Sequence, residues 1–187
     1  RDATVNEAGR ASASSLYNIK LDGGELRRLT FNPNRNFDPF QMWDGRVIYS
    51  AERYPNPPGV GGGRVGLYAI HVEGADMEFY GGELGGRIQQ MGCATERGLV
   101  IFIESEPAAW DGAGQLAGVE ERRPHVTHQQ LSKDAAHVFL HPSPWRDNRV
   151  LVSRRASDGS GTCGVFSFDA DTRQCEPVFD SPDYHDV

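Results

Sequence analysis

"LYNIKLDGGELRRLTF", residues 16 to 31, decides the fold, because the chain writes it again twice without a gap. "LYAIHVEGADMEFYGG" begins at Leu67 and "VFSFDADTRQCEPVFD" at Val165. Each copy has a β-branched and aromatic run, a Gly- or Asp-containing turn and a second extended run, which is the pattern of an antiparallel hairpin. A second phrase precedes it in each unit. "FDPFQMWDGRVIYS" (37–50) recurs as "HPSPWRDNRVLVS" (141–153) and, more weakly, as "QMGCATERGLVIFIES" (90–105). Self-similarity at a period of about 50 residues, with four short strands per period, is the signature of β-propeller blades. A two-sheet sandwich would not repeat its phrases in register.

The sequence therefore predicts an all-β chain, a β-propeller of four-stranded antiparallel blades forming an incomplete ring of about three and a half blades. The expected divisions are a half blade over residues 1–31, full blades over 37–82, 87–131 (with a loop insertion) and 135–181, and the start of a further connection over 182–187. The missing strands imply that other protein domains or subunits complete the propeller, since an open sheet edge is a site of unwanted pairing.

Composition agrees. The 187 residues include 22 Gly and 11 Pro, with 10% aromatic and 24% charged residues, as in a turn-rich globular β fold. The formal net charge of −7 gives no basic surface for nucleic acid or for anionic lipid. No apolar run approaches the roughly 20 residues that cross a bilayer as a helix, so membrane insertion is not expected. Three cysteines (Cys93, Cys163, Cys175) make no disulfide framework. Cys175 matches Leu26 in the repeat and is expected to be a small core residue, with Cys163 too far along the hairpin to reach it. No C-x-x-C-H occurs, so no c-type haem is attached within this segment and no cofactor is expected in it.

"LYNIKLDGGELRRLTFN" (16–32) and the "DP…DGRVIY" that follows (38–49) resemble the repeat of TolB-like propellers. A narrower similarity, to the propeller (middle) domain of the hydrazine synthase alpha subunit family, rests on "GLVIFIESEPAAWDGAGQLAGV" (98–119), "VSRRASDGSGTCGVFSFD" (152–169) and "FDSPDYHDV" (179–187). That resemblance implies an extracytoplasmic scaffold, periplasmic or secreted, within a multihaem complex whose haems sit in flanking domains or partner subunits. The family's haem-attachment motif is absent here, so the resemblance carries over the architecture and not the reaction.

Candidate chemistry is thin. Asp38, Gln90 and His141 fall at equivalent places in successive units, just before or within the inner strand. Equivalent residues on a ring converge on its axis, where a ligand or partner segment binds; capping of their own turns is the alternative. His125, His128, His137 and His141 lie close in sequence and are candidate metal ligands, although residues three apart on a strand face opposite ways. Tyr184 and His185 are potential ligands at a neighbouring cofactor. Trp110, in the insertion of the middle blade, is a candidate partner contact. "GVGGGRVG" (59–66) lacks the Lys-Ser/Thr ending and the following helix of a phosphate loop. There is no G-x-S-x-G, no H-E-x-x-H, and no carboxylate pair evident from spacing. The expected function is a non-catalytic interaction scaffold; the alternative is the propeller part of a multihaem oxidoreductase subunit.

Overall fold

A computed structural model describes residues 13–53, 64–81, 87–106 and 111–181. No helix forms among them. A two-stranded piece, β1 (Tyr17–Asn18) with β2 (Arg27–Arg28), precedes three four-stranded antiparallel sheets. The first sheet runs β3 (Asn36–Gln41), β4 (Arg46–Arg53), β5 (Arg64–His71) and β6 (Glu78–Phe79). The second runs β7 (Ile88–Ala94), β8 (Leu99–Ser105), β9 (Gln115–Glu120) and β10 (Gln129–Gln130). The third runs β11 (His137–Pro144), β12 (Arg149–Ala156), β13 (Gly164–Asp169) and β14 (Cys175–Phe179). In every sheet the strands lie in sequence order, inner to outer, as simple meanders. The arrangement is an open propeller and not a closed ring.

The repeat in the sequence is a repeat of turn chemistry. After each inner strand the chain reverses through one device: Met42, Thr95 and Trp145 donate their amides to the carbonyls of Arg46, Leu99 and Arg149 at 2.8, 2.8 and 3.0 Å. Gly45 and Gly98 hold φ of +86° and +78° inside the first two of these turns, a conformation glycine adopts without steric penalty. Asp44 Oδ1 accepts the Arg46 amide at 3.0 Å and fixes the first turn.

The sheets pack face to face, and their burial follows from position. In β8 all seven residues are buried. One face (Leu99, Ile101, Ile103) meets Phe139, Val150, Val152 and Phe168 of the third sheet. The other (Val100, Phe102) meets Met42, Ile48 and Leu67 of the first. This is why "LVIFIES" reads as a continuous apolar run where a one-sided strand would alternate. On the far side of the first sheet, Tyr49, Ala51, Tyr68 and Ile70 pack with Leu16 from the two-stranded piece. Polar contacts lock the seams. The Met91 amide donates to Ser50 Oγ at 3.2 Å, and Gly114 and Phe139 exchange backbone hydrogen bonds at 3.1 and 2.8 Å between the second and third sheets. Where no further sheet covers it, β14 is half-buried or exposed along its length.

None of the three cysteines is in a disulfide. Cys175 is half-buried and packs against the Phe139–Phe168 core, whereas its repeat counterpart Leu26 is exposed.

The first and second sheets approach closely at Gly92. A Cβ there would lie 2.8 Å from Leu67 Cδ1 and 3.0 Å from Ile48 Cγ2. Gly92→Ala is therefore expected to destabilise the protein by about 1–3 kcal/mol through overpacking of this seam, measured by chemical denaturation. An unchanged midpoint would contradict the packing described.

Candidate functional site

The inner strands share one irregularity. Pairing of β3 with β4 shifts register between Phe37 and Phe40, of β7 with β8 between Gln90 and Cys93, and of β11 with β12 between Leu140 and Ser143. Each is a β-bulge, and each places one non-glycine residue at positive φ: Asp38 at +50°, Met91 at +54° and His141 at +48°. Such residues cost on the order of 1 kcal/mol or more, and they concentrate where a structure aims a side chain for use. Asp and His tolerate the left-handed region better than most residues.

Asp38 is half-buried and His141 exposed. Burial raises the Asp38 carboxyl above its usual range, partly offset by the charges of His141 and Arg35. Gln90 does not take the third place. The strand registers put Met91 opposite the same point of its neighbour, while the Gln90 amide donates to Gly112 O at 2.9 Å and its residue is 7% exposed. The one-residue offset arises because the middle inner strand lacks the proline that marks the bulge in "DP" and "HP".

The histidines do not gather. His128 Nε2 contacts Glu104 Oε1 at 3.2 Å; Glu104, whose side chain is 1% exposed, is also bonded by Arg87 at 3.0 Å and Gln89 at 3.3 Å. His137 Nδ1 lies 2.8 Å from Asp134 Oδ2 and 2.8 Å from an Arg154 guanidinium nitrogen, and the tautomer decides which contact is a hydrogen bond. His125 is exposed in a turn. Among the described residues no group of three or more His, Cys, Asp or Glu is disposed to hold a metal. Alternation along strands separates side chains that spacing brings near. Trp110, Tyr184 and His185 lie outside the described residues.

The residues present do not fit covalent haem. Cys93 and Cys163 are buried and Cys175 half-buried, all in core surroundings; burial pushes the Cys93 thiol up to about 12.

Two clusters escaped the sequence. Arg46 reaches Asp44 at 2.5 Å, Glu78 at 2.5 Å and Glu121 at 3.6 Å, and lies over the Tyr80 ring at 5.2 Å. Asp44 and Glu121 both face Arg46; burial and the neighbouring Asp44 hold Glu121 up, while hydrogen bonds from Arg46 hold Asp44 down against its burial. Second, Arg155 donates to Asp111 Oδ2 from two nitrogens, at 3.1 and 2.6 Å, tying the long loop of the second sheet to the third. Both clusters join residues from different sheets, and only the D-G turn around Asp44 gave any local signal.

No protein-family model matches the chain. It is 29% identical to hydrazine synthase subunit alpha of Kuenenia stuttgartiensis over 99% of its own length and 26% of that protein. The chain thus spans about a quarter of the curated relative it matches. The solved Kuenenia stuttgartiensis hydrazine synthase superposes with a TM-score of 0.72 at 25% identity, over 97% of this chain and 24% of that one. TolB from Acinetobacter baumannii gives 0.62 at 11% identity (88% and 37%). A puromycin-hydrolyzing peptidase of Mycobacterium tuberculosis gives 0.61 at 15% (89% and 27%). These last two share the fold.

Burial alone would raise the Asp111 carboxyl, but the Arg155 and Ala113 hydrogen bonds and the Arg155 charge hold it below the usual range. A depressed carboxyl adds stability above its unfolded pKa of about 4, and this is lost as pH falls through the folded value. Asp111→Ala should cost about 1–3 kcal/mol at pH 7, with the deficit shrinking towards pH 2–3 in denaturation curves. A pH-independent deficit would contradict a charged role. The chain is part of a β-propeller and is similar along 99% of its length to hydrazine synthase subunit alpha of Kuenenia stuttgartiensis.

Proposed function

We propose that this segment is a non-catalytic scaffold, part of a propeller within a larger extracytoplasmic protein or complex, and that it works by positioning side chains at its inner opening. The observation that carries this reading is the thrice-repeated bulge. One backbone geometry presents Asp38, Met91 and His141, so a constant frame displays variable chemistry. Asp38 and His141 are the rim residues through which a ligand or a partner segment is held. Gln90 supports the rim through its bond to Gly112. Other domains or subunits supply the strands that β1 and β2 lack. No described helix is long and apolar enough to cross a membrane.

A second reading makes the segment the propeller part of a hydrazine-synthase-like multihaem oxidoreductase subunit. Similarity to hydrazine synthase subunit alpha along 99% of the chain favours it. On that reading any haem is held by flanking domains or partner subunits, since no C-x-x-C-H occurs here. The peptidase likeness supports no hydrolase reading, being one of fold.

Native mass spectrometry of the protein purified from its source tests the proposal. The expected result is an assembly larger than 20.6 kDa in which peptides of this segment carry no covalent haem. An isolated 20.6 kDa species would overturn the scaffold reading. Haem mass on other chains or domains of the assembly would select the second reading over a scaffold without redox chemistry.

A further inference from the structure

The turns that follow the inner strands open on one side of the molecule, and two tryptophans stand among them. Trp145 is 41% exposed and its ring is covered by the Arg146 guanidinium at 4.7 Å. Trp43 is 80% exposed, and among the described residues no ring or cation packs on it. An uncovered indole offers a flat, amphipathic face on which a ring can stack.

Trp43 borders a recess of about 810 Å³ that spans all three sheets, within the size range of small-molecule sites. A chain of polar contacts runs along it. Thr95 Oγ1 and Asn148 Oδ1 are 2.8 Å apart, Asn148 Nδ2 donates to Asp171 Oδ1 at 2.8 Å, and Arg97 donates to Asp171 Oδ2 at 3.1 Å. Glu120, Glu121, Arg122 and Arg173 also line the recess. With acids and bases interspersed, neither a cation nor an anion gains from the recess as a whole. Hydroxyl groups do, because each can donate and accept. A flat apolar platform beside donors and acceptors of both kinds suits a ring with one apolar face and an equatorial rim of hydroxyls.

We propose that the Trp43 recess is a binding site for a neutral carbohydrate, which stacks on the indole and hydrogen-bonds to the Asn148–Asp171–Arg97 chain. The site lies apart from the Asp38 and His141 rim and does not rest on the scaffold reading.

The intact natural protein is titrated with cellohexaose, maltohexaose and chitohexaose, read by tryptophan fluorescence and calorimetry. At least one sugar is expected to bind. Trp43→Ala should weaken that binding by about 10-fold or more, the loss of one stacked aromatic contact. Asn148→Ala should weaken it too, and Trp145→Ala should leave it unchanged. Trp43 is exposed, so its variant tests the site without threatening the fold. Three results would each overturn the proposal: no sugar binds, Trp43→Ala binds as tightly as the parent, or footprinting of the native assembly finds Trp43 buried under a protein partner.

Discussion

Burial of β8 on both faces is the constraint from which the rest of the structure follows. A strand with Leu99, Ile101 and Ile103 on one side and Val100 and Phe102 on the other cannot sit at a solvent boundary. At about 25 cal/mol per Å² of apolar surface removed from water, covering only one side would forfeit much of the driving force. The middle sheet therefore requires a sheet before it and a sheet after it. The same logic applied outward explains the ends. Tyr49 and Tyr68 in the first sheet pack with Leu16, Val47 and Phe79, and on the outer strand β14 Val178 and Phe179 are exposed at 51% and 60%.

Close stacking also explains the inner bulges. The second inner strand is pressed against the first sheet at Gly92, where no side chain fits, and its Met91 amide is drawn to Ser50 Oγ. A left-handed residue at that point lets the strand bend around the inside of the stack while keeping its ladder on either side. What stands there is Asp in one sheet, Met in the next and His in the third. Packing dictates the backbone and leaves the side chain open, which is how one fold serves many functions.

Much of this was legible in residues 16–31 and their two copies, because turn-forming and alternating residues act locally. The three sheets and the D-G reversal at Asp44 come from such signals. Register was less legible. Without a proline in the middle inner strand, the sequence aligns Gln90 with Asp38, and only the pairing of Gln90 with Ile103 and Cys93 with Ile101 shows Met91 to be its equivalent. The histidines looked like a cluster because sequence proximity ignores strand alternation; in space His128 belongs to Glu104 and His137 to Asp134. The Asp44–Glu121 pair and the Asp111–Arg155 bridge were invisible, since each joins two sheets through contacts that no local spacing encodes.

Native-state hydrogen exchange tests the doubly buried middle sheet most directly. If stacking on both faces holds the molecule together, the β8 amides from Leu99 to Ser105 exchange only through global unfolding and are the slowest in the chain, while those of β1, β2 and β14 exchange through local opening. Protection in β8 no greater than in β14 would mean that the sheets are stable one by one, and would contradict the account.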